Sequence, residues 1–138
     1  MTATSRASML AQYQMVATHG SVTEADPHRL IVMLMDGALS RIAQARGCMD
    51  RKATAEKSAH LQRAIAILDE LRCSLDLKQG ELAHNLDRLY DFMGRQLLQA
   101  HVEDRSELLD RTGALLQEIR GAWLALPPAA RALRKVTR

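Results

Sequence analysis

Residues 26–42 read DPHRLIVMLMDGALSRI, and the Asp36-Gly37 step in the middle of that stretch decides the fold. Asp-Gly between apolar runs is the strongest short-range hairpin signal, yet the residues around it repeat as a helix does. At about 100° per residue, Ile31, Leu34, Met35, Ala38, Leu39, Ile42, Ala43 and Ala45 gather on one side, with Asp36, Ser40, Arg41 and Gln44 on the other. Asp26 is placed to cap the segment. Pro27 suits the first helical position, where its missing N–H would have no partner anyway. The period is helical and not two, so a helix is predicted over about 27–49, with Gly37 carried in its polar arc at a cost of ~1 kcal/mol relative to alanine.

Working outward, 138 residues make one ordinary domain, long enough to bury a core without disulfides or metal. Aromatics are only 3% of the chain, so that core has to be built from leucine, alanine and seven methionines, all good helix formers. The net charge of +3 is concentrated at the end: RALRKVTR carries Arg131, Arg134, Lys135 and Arg138, which leaves the rest of the chain near neutral. Residues 127–138 are expected to form a basic, flexible tail. Cys48 and Cys73 have neither CxxC nor metal-finger spacing and follow no signal peptide, as expected of reduced thiols in a cytosolic protein. No run of ~18 apolar residues suggests insertion in a membrane.

Three further helices follow. Residues 54–79 place Leu61, Ala64, Ile65, Leu68, Leu71 and Leu75 at three- and four-residue steps, and residues 81–101 do so with Leu82, Leu86, Leu89, Tyr90, Met93 and Leu97. Gln79-Gly80 is the one break between them, with Gly80 as a left-handed C′ residue; a single long helix is the alternative. The last helix, about 105–126, opens with Asp104-Arg105-Ser106-Glu107, read as a cap with Glu at the third position, and stops at Pro127-Pro128. Its inner face is read as Leu108, Leu115, Ile119, Ala122 and Leu126. Helices of similar length with short connections predict an all-α fold, an antiparallel up-down four-helix bundle over 26–126. Residues 1–25 hold a loop-like GSVTEA preceded by Met9, Leu10, Tyr13 and Val16 at helical spacing, a segment able to dock on the bundle.

Chemistry is sparse. A di-metal bundle site needs two ExxH pairs and two further glutamates, and only Glu81-Leu82-Ala83-His84 supplies one pair. His19, His28, His60 and His101 form no ligand set, so neither metal nor any other cofactor is expected. GxSxG, P-loop and dinucleotide motifs are missing, which points away from an enzyme. Arginines alternate with acids and four aromatics offer little for base stacking, which points away from nucleic acid. What remains is surplus apolar surface on the first helix: an arc of roughly half its circumference where one core needs ~100°. A partner's helix, the N-terminal segment or a homodimer seam would cover it.

Several stretches together resemble the FliS family, the flagellar export chaperones that bind flagellin. They are LAQYQMV, ADPHRLIVMLMDGALSRI, AIAILDELRCSLDLKQGELAHNLDRLYDFMGRQLLQA and LLDRTGALLQEIRGAWLA, in that order over residues 10–126. The chain departs from the family's MLYDGA by carrying Met35 in place of tyrosine. The resemblance implies a cytosolic helical bundle that holds the disordered C-terminal segment of flagellin on apolar grooves. It also implies a second partner, the membrane component of the export gate, and an N-terminal cover matched here by Leu10 and Tyr13. The expected partner contacts are Leu10 and Tyr13, then Ile31, Met35 and Leu39 on the first helix, and Leu86, Leu89, Tyr90 and Met93 on the third. Each is equally a candidate for the core. The readings set against this one are a metal-binding bundle resting on Glu81 and His84, and a structural homo-oligomer.

Overall fold

In a computed structural model, which describes residues 26–126, the chain forms four α-helices. They are α1 (Pro27–Asp50), α2 (Thr54–Cys73), α3 (Glu81–Glu103) and α4 (Ser106–Leu124), with a short 3₁₀ turn at Leu77–Gln79. Neighbours in sequence pack against each other and α4 returns to α1, closing an antiparallel up-down bundle. The leading expectation for N-terminal docking, with Leu10 and Tyr13, lies outside the described residues, as does the basic tail from residue 127.

The Asp36-Gly37 step is helix interior. Asp26 Oδ1 accepts the Arg29 N–H at 3.2 Å and Pro27 opens the first turn, so the cap and the fixed proline φ start α1 where the sequence placed them. Ile31, Leu34, Met35, Ala38, Ile42, Ala45 and Cys48 then face the core. Asp36 is exposed and reaches Arg120 Nε of α4 at 2.6 Å. Ala43, placed on the inner side by the wheel, is exposed at the edge of that arc.

The connection after α2 differs from the sequence reading. The helix ends at Cys73, because the Ser74 hydroxyl turns back to donate to Leu71 O at 2.7 Å and the Asp76 carboxylate accepts the Lys78 N–H at 3.1 Å. Such local bonds compete with helix continuation. Leu75 is still buried and plugs this end of the core. Gly80 stands at φ 107°, ψ −160°, a region open only to glycine and distinct from the left-handed C′ geometry expected of it. It starts α3.

At the other end, Asp104 is not the cap of the last helix. It is the left-handed residue that ends α3 (φ 53°, ψ 45°), and its carboxylate is the counter-ion of Lys57. Lys57 is 2% exposed and also donates to His101 O at 3.2 Å, so one ammonium ties α2 to the α3–α4 turn. The α4 face is likewise displaced: Leu108, Leu109, Thr112, Leu116 and Trp123 are buried, whereas Leu115 and Ile119 are half-buried and Ala122 is exposed. At Leu115-Leu116 packing selects the second member, whereas Leu108 and Leu109 are both buried.

Hydrogen bonding from Lys57, reinforced by its charge, holds the Asp104 carboxyl below the usual carboxylate range. A depressed folded pKa contributes stability above the unfolded value, near 3.8, and loses it as pH falls through the folded one. Asp104→Asn keeps the left-handed backbone, which asparagine tolerates, and removes the charge. The variant is expected to melt lower than wild type at pH 7 and to lose less stability than wild type as pH falls below about 4. Parallel melting curves across that window would refute the link.

Candidate partner-binding surface

Which apolar side chains a partner can reach is decided by how closely neighbouring helices approach. On α3, Asp87 and Asp91 pair with Arg72 of α2 at 3.0 and 3.1 Å, fixing the side turned toward α2. Leu82 is about 180° from Asp91 around the helix, and Leu89 lies within about 20° of Leu82. Both therefore lie on the side of α4. Phe92, the chain's single phenylalanine, lies farther out on the same side and is 46% exposed; half-buried Leu89 is one turn before it, and half-buried Leu86 and exposed Leu82 continue that side toward the start of α3. Half-buried Leu115 and Ile119 of α4, on its side away from α1, continue the apolar surface.

A second feature lies on the opposite flank of α4. Leu39, Ile42 and Ala43 of α1 face Leu109, Gly113 and Ala114 of α4 across an open groove of about 420 Å³. Small residues make the gap: a Cβ added at Gly113 would come to 3.8 Å from Ile42 Cγ2, an ordinary contact. Arg46 bridges to Asp110 at 3.0 Å along the same lining. An apolar floor with polar groups at its rim suits the apolar face of an amphipathic helix.

Set against the expected contacts, the structure divides them. Leu39, Leu86 and Leu89 are half-buried at these two surfaces. Ile31, Met35, Tyr90 and Met93 are none of them more than 3% exposed. Of the two roles open to those four, burial favours the core. Burial alone pushes the Tyr90 hydroxyl well above its ordinary pKa, so it stays protonated. Phe92, Ala43 and Gly113 were missed. The signal for Phe92 was present, since a large aromatic about 120° off the centre of the leucine stripe belongs to no core.

Glu81 and His84 are both exposed at the start of α3, and among the described residues no three His, Cys, Asp or Glu side chains gather as a metal set would. His60 Nδ1 lies 3.1 Å from Arg41 Nη1; burial, then the Arg41 charge, lowers its pKa, so it accepts as the neutral ring. Cys48 is buried, Cys73 is exposed, and both are free. No described helix is long and apolar enough to cross a membrane.

The family model described as Flagellar protein FliS matches residues 9–130. The chain belongs to the FliS family. The flagellar secretion chaperone FliSB of Pseudomonas aeruginosa is 46% identical over 115 residues, covering 83% of this chain and 91% of that protein. The FliS of Salmonella typhimurium is 39% identical over 126 residues (90% and 93%), and that of Bacillus subtilis 30% over 103 (75% and 77%). These FliS relatives are named as secretion chaperones, so the role shared across the family is chaperoning in flagellar secretion and not catalysis.

Proposed function

We propose that this FliS chain is a cytosolic export chaperone that binds the disordered C-terminal segment of flagellin and keeps it from polymerising prematurely. Delivery to the flagellar type III export apparatus, through the membrane component of its export gate, completes the role. The observation that carries the reading is the exposed Phe92 and Leu82 beside Leu86 and Leu89, paired across α4 with the groove at Leu39 and Ala43. Ordering a disordered client costs ~2–5 kcal/mol of the gross interaction energy. Burying a large apolar side chain returns ~1.5–3 kcal/mol, so a few anchors along a wrapped segment offset that cost.

The bundle is preformed and the client supplies the ordering, so binding is coupled folding on a rigid template. Titration calorimetry with a flagellin C-terminal peptide is expected to give one site, a negative heat-capacity change and a gain of helical circular dichroism in the complex. Absence of heat at two temperatures together with an unchanged spectrum would reject the reading. In the same reading the N-terminal segment, with Leu10 and Tyr13, is a cover that competes with client. Deleting residues 1–20 then tightens binding or leaves it unchanged, and a large loss of affinity would instead make the segment part of the binding surface.

A further inference from the structure

The start of α1 and the end of α4 are tied by a reciprocal contact. His28 Nε2 lies 2.8 Å from Trp123 O, and Trp123 Nε1 donates to His28 O at 3.1 Å. The two rings stack with centroids 5.0 Å apart and planes 11° from parallel. With a carbonyl as its partner, His28 Nε2 carries the hydrogen and donates. Trp123 is the chain's single tryptophan and is 6% exposed.

No turn joins α1 to α4, so side chains alone hold their seam. The ion pairs Asp36–Arg120 and Arg46–Asp110 cross it near the surface, where solvent screens them. Between those pairs the seam thins to Ala43, Gly113 and Ala114 and leaves the groove. The ring stack and its two hydrogen bonds sit about 16 Å along α1 from Leu39, at the end where the chain enters α1 and leaves α4. Partly buried hydrogen bonds backed by an aromatic stack are less screened than those surface pairs and are the stronger kind of tie.

We infer that this clasp is the lock of the α1–α4 seam and that His28 is a positioning residue for the groove. It holds the last turns of α4 on α1 and so keeps the two walls of the groove at a fixed separation. The inference rests on the reading of that groove as a seat for the flagellin segment. Losing the clasp frees the end of α4 locally, while Trp123 stays in the core it shares with α2 and α3 and those two helices keep their packing.

The test compares wild type, His28→Ala and His28→Gln, the last retaining an N–H donor without the ring. In the full chain, His28→Ala is expected to shift Trp123 emission to the red and to raise amide exchange over residues 117–124 at least tenfold. Exchange in α2 and α3 stays unchanged, and affinity for a flagellin C-terminal peptide falls about tenfold. His28→Gln recovers part of each change. Wild-type emission and exchange in His28→Ala would overturn the lock, as would exchange rising equally in all four helices. A lock that opens with no change in peptide affinity would overturn the positioning role. Failure of wild type to bind the peptide would reject the proposed function instead, and the emission and exchange measurements would still decide the lock.

Discussion

Met35→Ala is expected to cost about 2–5 kcal/mol of stability, because the side chain is fully enclosed and its removal leaves a cavity that the helices around it only partly close. Met93→Ala is expected to behave alike, since Met93 is also fully buried on α3. For a domain of this size that is a drop in melting midpoint of roughly 10 °C or more. Both variants would reduce client binding only in proportion to the fraction unfolded. Normal melting of Met35→Ala combined with lost client binding would return Met35 to the contact surface and contradict its placement here.

The opposite separation is expected at Phe92. Phe92→Glu removes a half-exposed aromatic and puts a charge where an apolar partner would have to desolvate it. Central aromatic anchors carry a disproportionate share of interface energy, so affinity for a flagellin C-terminal segment should fall by about 30-fold or more. Melting should move by no more than a surface substitution does, ~0.5 kcal/mol. Ala43→Glu, at the rim of the α1–α4 groove, is expected to act in the same direction with a smaller loss. If Phe92→Glu and Ala43→Glu each bind like wild type, neither flank of α4 is the client surface.

How far the fold could be read from sequence depended on whether the deciding interaction was local. The Asp36-Gly37 question was settled by local chemistry, a capping aspartate, a proline at the first position and a helical repeat, all within 17 residues. The end of α2 was misread because the leucine spacing continues through Leu75, whereas the helix stops on a serine hydroxyl and an aspartate carboxylate that spacing does not register. Asp104 was misread for a different reason. Its partner, Lys57, is 47 residues away, and a lysine at a stripe position four residues before Leu61 was the only hint that a buried ion pair existed.

The same distinction governs the candidate surface. A helical wheel identifies the apolar stripe of α3, and Leu86, Leu89, Tyr90 and Met93 all belong to it. Which edge of the stripe stays uncovered depends on the separation of α3 from α4 and on Arg72 drawing the Asp87–Asp91 side toward α2. These are tertiary quantities. Phe92, off the stripe, was legible as an outlier, but the groove at Ala43 and Gly113 was not, because small residues become a site only when two helices bring their gaps into register.

The central claim is that the chain holds the C-terminal segment of flagellin. Co-purification of the full chain with flagellin, full length and truncated at its C-terminus, tests it most directly. Full-length flagellin is expected to be recovered in stoichiometric amounts and the truncated form to be lost. Equal recovery of both would contradict the account.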